Sequence, residues 1–113
     1  MNNEPKETRH YSSNTGFIKA DIVISVNGRD AGKRFIVIGT DNGYSLIADG
    51  KGRRYEKPKR KKNKHLMFES KSTGNIAEKL TEGEKITNNE IRRFLAEYTE
   101  EKNSEGGMQN AKR

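Results

Sequence analysis

Residues 21–49 read DIVISVNGRDAGKRFIVIGTDNGYSLIAD. Three short apolar runs alternate here with turn signals. Asp21 to Val26 is rich in β-branched residues, which predicts a first strand. Asn27 to Gly32 follows as a turn or small loop, where Gly28 and Gly32 can adopt positive φ without steric cost. Lys33 to Thr40 predicts a second strand, Asp41-Asn42-Gly43 a hairpin turn, and Tyr44 to Asp49 a third strand. Asp49-Gly50 is another tight-turn pair. Lys51 to Lys57 is expected to run back as a fourth strand, ended or held at a sheet edge by Pro58. His65 to Glu69 is the expected fifth. Short strands at this spacing predict a mainly β fold, a small barrel or half-barrel of about five strands over residues 17–70.

The inward set is expected to be Ile22, Ile24, Val26, Phe35, Val37, Leu46, Ala48, Leu66 and Phe68. Val23, Ile36, Ile38 and Ile47 fall on the other parity, where loops or the C-terminal segment are expected to half cover them. Such a core is small, and marginal stability is expected of it alone.

Outside this region the pattern changes. Residues 1–16 are polar and are expected to form a mobile, disordered tail. Residues 71–103 are expected to form a helical extension. Thr87-Asn88-Asn89-Glu90 matches a capping box. Ile91, Phe94, Leu95 and Tyr98 then fall on one helical face, predicting a helix from Asn88 to about Glu101. Asn75 to Leu80 predicts a shorter helical turn capped by Ser72 or Thr73. Residues 104–113, with Gly106-Gly107, are expected to be a second mobile tail.

The chain has 113 residues, no cysteine, 29% hydrophobic and 35% charged residues, and a formal net charge of +7. No disulfide framework or thiolate metal site is possible, and His10 and His65 are too far apart in sequence to suggest a metal cluster. No metal or cofactor is expected. The longest apolar runs are too short for a transmembrane helix, and the N-terminus does not resemble a secretory signal. No membrane partner and a cytoplasmic location are therefore expected.

The charge is concentrated. Residues 1–50 are net neutral, residues 66–113 carry net −1, and residues 51–65, KGRRYEKPKRKKNKH, carry net +8. A localised excess of this size favours an anionic partner, nucleic acid above all.

Val26-Asn27-Gly28, then Gly32, then Val37 match the spacing of the KOW motif. Around them GRDAGK, ADGK and KPKRKKNKHL occur in that order. Over roughly Ala20 to Leu66 the chain resembles the bacterial KOW-domain RNA-binding proteins, which are related to archaeal and eukaryotic large-subunit ribosomal proteins. The resemblance implies an SH3-like barrel that binds structured RNA, usually ribosomal RNA. It places Arg29, Lys33 and Arg34 on or just after the motif loop, which Gly28 and Gly32 shape. It places Lys51, Arg53 and Arg54 at the start of the basic segment, completed by Lys57, Lys59, Arg60, Lys61, Lys62, Lys64 and His65. Nothing carries over to the N-terminal tail or the C-terminal helix.

Physical chemistry supplies both a functional and a plain reading for these residues. The basic run is tethered at both ends by strand signals, so it reads as an exposed segment of a folded domain rather than a free tail or a nuclear address. Phosphates would relieve its self-repulsion and release counterions. Tyr55 lies inside the patch, either to stack on an unpaired base or to pack with one face exposed. His65 is as readily a strand-edge histidine as an RNA contact. Ile91, Phe94, Leu95 and Tyr98 read first as a helix packing on the barrel, and second as a docking face for a protein partner.

No catalytic constellation is visible, so no enzyme is expected. The function expected is RNA binding as a ribosome-associated or ribosomal-protein-like factor. The competing readings are a protein-interaction module of the translation or transcription machinery, and non-specific DNA binding.

Overall fold

The computed structural model describes residues 16–111, with side chains as far as residue 103. Five strands form one antiparallel sheet: β1 Asp21–Ser25, β2 Arg34–Asp41, β3 Tyr44–Ala48, β4 Lys59–Lys62 and β5 Leu66–Lys71, in the order β4-β3-β2-β1-β5. Two helices follow, α1 Asn75–Thr81 and α2 Asn88–Ala111. The fold is therefore mainly β, as expected. Residues 1–15 of the expected N-terminal tail and 112–113 of the expected C-terminal tail lie outside the described residues.

The β2–β3 hairpin turns at Asn42 and Gly43, both with positive φ, 42° and 83°. That is the handedness that matches the twist of the flanking strands and explains why Asn-Gly is favoured there. Between β4 and β5 stands only the single 3-10 turn Asn63–His65. The two strands are nonetheless the opposite edges of the sheet. In a flat sheet four inter-strand gaps would separate them by about 19 Å. The peptide units from Lys62 to Leu66 span at most about 14 Å when fully extended. The sheet must therefore curl, bringing its edges toward each other at this end. The turn is pinned on both sides: Asn63 N–H donates to Gly43 O and Val26 N–H to His65 O, each at 2.9 Å. Among the described residues no ladder joins β4 to β5.

The curl gives the sheet two buried faces. Inside lie Phe17, Val23, Phe35, Val37, Ile47 and Leu66, with Phe68 half-buried beside them. On the other face Ala20, Ile22, Ile36 and Ala48 pack against Ile76 and Leu80 of α1, Ile86, and Ile91 and Leu95 of α2. Burial of this second face adds apolar area that the sheet alone does not provide.

Several expectations change. The inward set mixed the two faces: Val23 and Ile47 point inward, Ile22 and Ala48 face the helices, and Val26 is 52% exposed. Parity is fixed by alternation only when one face is polar, and here neither is. Residues 51–57 are not a strand. They form a loop with a single bridge, Arg54 to Lys57, and the fourth strand begins after Pro58, not before it. The N-cap of α1 is Gly74, with φ 78° and no side-chain cap, rather than Ser72 or Thr73. The capping box of α2 is present: Glu90 N–H donates to Thr87 Oγ1 at 3.1 Å. Helix α2 continues past Glu101 to Ala111, through Gly106 and Gly107. Among the described residues no helix is long and apolar enough to cross a membrane.

Candidate functional site

Strand alternation divides the basic run. In β4, Lys59 pairs with Ile47 and Lys61 with Ser45, both buried positions on the inner side. Arg60 pairs with Leu46 and Lys62 with Tyr44, on the outer side. Period-two geometry therefore sends KRKK in two directions.

Lys61 is only 7% exposed. Its Nζ donates to Asp30 Oδ1 and to Asn27 O, each at 2.7 Å. Ser25 Oγ donates to the same carboxylate oxygen at 2.7 Å. Burial pushes the Asp30 carboxyl up, but the hydrogen bonds from Lys61 and Ser25, with the Lys61 and Lys59 charges, outweigh it and hold it below the usual carboxylate range. These contacts tie the 27–32 loop to β4. Gly28 and Gly32 shape that loop with φ of 86° and 89°.

A second loop, residues 49–56, faces it. Asp49 Oδ1 accepts the backbone N–H groups of Lys51 and Arg53, each at 2.9 Å, closing a side-chain turn of a kind Asp readily forms. Helix α2 holds the loop from behind. Asn88 Oδ1 accepts Tyr55 N–H at 2.7 Å, Asn88 Nδ2 donates to Glu56 Oε1 at 3.0 Å, and Arg92 donates to Gly50 O at 2.9 Å. Glu56 is exposed, and its carboxyl is held down to about 2, first by the hydrogen bond from Arg54 and then by that from Asn88.

Between the two loops and β4 lies a cleft of about 510 Å³. Phe35 lies in its lining, and Arg29, Lys33, Arg53, Lys59 and Lys61 bring five positive charges to it. Of its two acids, Asp30 is paired with Lys61 through Oδ1, while its buried Oδ2 accepts no hydrogen bond among the described residues, and Asp49 accepts only neutral backbone N–H groups. Lys61 is occupied with Asp30. Among the described residues, Arg29, Lys33, Arg53 and Lys59 have no carboxylate at ion-pair distance. The cleft thus sets five cations against two carboxylates, an excess of positive charge along its walls.

The other residues of the expected interface sit elsewhere. Arg34 turns to the helix side: its guanidinium makes a two-point contact with Glu69, at 2.6 and 3.2 Å, donates to Thr99 Oγ1 at 2.7 Å and stands over the Tyr98 ring. Tyr55 packs against the helix-side core instead of lining the cleft. Arg60 lies on the outer surface, bonded to Asp41 at 2.8 Å and 3.6 Å from the centre of the Tyr44 ring. Arg54 is paired with Glu56. Lys51 flanks the cleft, while Lys57, Lys62 and Lys64 are exposed outside its lining and His65 is half-buried in the 3-10 turn. Sequence reasoning missed Asp30, Asp49, Asn88 and Arg92, which hold the loops. Only Asp49, beside Gly50, carried a local signal. Among the described residues no group of His, Asp and Glu is disposed to hold a metal ion.

No protein-family model matches the chain, and no curated protein matches it.

Proposed function

We propose that this protein binds folded RNA, non-catalytically, with the cleft between the 27–32 and 49–56 loops as its contact surface. One observation carries this reading: Arg29, Lys33, Arg53 and Lys59 converge on one cleft, and among the described residues none of them has a carboxylate at ion-pair distance. The mutual repulsion of cations crowded in this way is relieved by phosphate, and arginine offers a planar fork for it. Phosphate contacts position a ligand and do not read its sequence.

The aromatic residues favour a helical RNA over a single strand. Single strands are bound on exposed stacking platforms. Among the described residues, Phe17 and Phe35 are buried, Phe68 is half-buried with Lys71 over its ring, Phe94, Tyr55 and Tyr98 pack against the helix-side core, and Tyr44 lies under Arg60. Recognition would rest on shape and backbone charge. The KOW resemblance adds ribosomal RNA as the natural target class, a cytoplasmic location, and closure of the curled sheet as an SH3-like barrel. A protein-docking role for the face formed by Ile91, Phe94, Leu95 and Tyr98 is disfavoured, because Ile91 and Leu95 are buried at home against the sheet.

Fluorescence anisotropy tests the reading with three labelled probes: an RNA hairpin, an unpaired RNA of the same length and a DNA hairpin. The RNA hairpin should bind most tightly. Equal or tighter binding of the unpaired strand, or no binding of any probe, would contradict it.

A further inference from the structure

The cleft does not end at Lys33. Lys33, Asp49 and Gly52 also line a second groove, of about 750 Å³, whose far wall is α2. The helix contributes Arg92, Leu95, Ala96 and Thr99 to it, and Lys51 stands on the loop side. We infer that α2 forms the second wall of the RNA-binding surface, and that the phosphate backbone held in the cleft continues along this groove. The inference rests on the RNA reading proposed above.

Continuity, charge and rigidity support it. The two depressions share a lysine and a stretch of loop, so a chain leaving one enters the other. Lys33, Lys51 and Arg92 present positive charge along the groove and outnumber Asp49, whose Oδ1 is turned to two backbone N–H groups. Two hydrogen bonds engage Arg92, to Gly50 O at 2.9 Å and Asn89 Oδ1 at 2.7 Å, and leave its remaining guanidinium donors open. Glu100 also lines the groove and is its one acid not bonded to backbone; a phosphate track would be expected to stop short of it. Ala96 is small and exposed, so the backbone of α2 can be approached closely there. The wall is not free to swing away, since Asn88 and Arg92 bind α2 to the 49–56 loop.

The chain has no cysteine, so single cysteines can carry a short photo-crosslinker. Three full-length variants are labelled and irradiated with the RNA hairpin: Ala31→Cys on the cleft loop, Ala96→Cys in the groove, and Glu101→Cys, which lies outside the groove, about 140° round α2 from Ala96. All three positions are exposed, so the fold should be retained. The inference predicts crosslinked RNA from positions 31 and 96 and background from position 101. Crosslinking at 31 without 96, or equal yields at 96 and 101, would overturn the groove while leaving the cleft intact. Background at all three positions would overturn the RNA reading itself.

Discussion

Lys61 and Asp30 form an internal ion pair at 2.7 Å, with side chains only 8% and 15% exposed. A lysine in the middle of KPKRKKNKH is therefore a structural residue that holds the 27–32 loop on β4. Lys61→Ala would strand the Asp30 carboxylate and should cost about 2–4 kcal/mol. Its exposed neighbour makes the contrast: Lys62→Ala should stay within about 0.5 kcal/mol of the parent. Urea denaturation of the two variants checks this, and equal losses would remove Lys61 from the scaffold.

Glu69 anchors α2 from the other side, bonded to Arg34 at 2.6 Å and near Lys102 at 3.4 Å. Burial raises its carboxyl, but the Arg34 hydrogen bond and charge, then Lys102, hold it below the ordinary glutamate range. A folded-state value that is depressed stabilises the fold above the unfolded value and loses that contribution as pH falls through the folded value. Glu69→Gln should therefore be clearly less stable than the parent at about pH 7, with the gap narrowing toward about pH 3. Denaturation at both pH values measures it. A gap that widens on acidification would reverse the sign.

Gly50 has φ 80°, and a Cβ there would run into the Asn88 carbonyl and the Arg92 backbone. Gly50→Ala should destabilise by about 1–3 kcal/mol and loosen the loop from α2. Gly52, two residues on, has open space and no positive φ. Gly52→Ala should be neutral or slightly stabilising, by a few tenths up to about 1 kcal/mol. Thermal melts of the pair distinguish a position that needs glycine from one that does not.

Arg29, Lys33, Arg53 and Lys59 set the number of phosphates the cleft can neutralise. The logarithm of RNA affinity should fall against the logarithm of salt with a slope of about −3 to −4. Lys59→Gln should reduce that slope by about one. A titration series in salt measures both, and a slope near zero would exclude a phosphate-dominated interface.

Much of the sheet was legible, because β1, β2 and β3 carry local signals. DIVIS and RFIVIG are β-rich, and Asn42-Gly43 adopts the turn its composition favours. β4 was not legible. KRKK has no apolar residue, and it is a strand because it pairs with β3 and because Lys61 finds Asp30. The parity of β1 was not legible either, since the C-terminal helices bury one face as fully as the sheet buries the other, and neither face is marked by polar residues. Of the site, the charge was readable and its division was not. Alternation sends Arg60 to Tyr44 and Lys59 to the cleft, and which way each points depends on register with Ser45 and Ile47. Asn88, which fixes the loop at Tyr55, lies 33 residues away in sequence and announces itself only through the helix that carries it.

If the cleft binds RNA, rather than the basic run as a bulk polycation, the position of each charge must matter beyond its sign. Two double variants with the same charge change test it against one another. Arg53→Glu with Lys59→Glu alters the cleft, and Lys62→Glu with Lys64→Glu alters exposed lysines outside its lining. Affinity for the RNA hairpin should fall by about a hundredfold or more in the first and by less than about tenfold in the second. Equal losses in the two variants, with both still folded, would contradict the account.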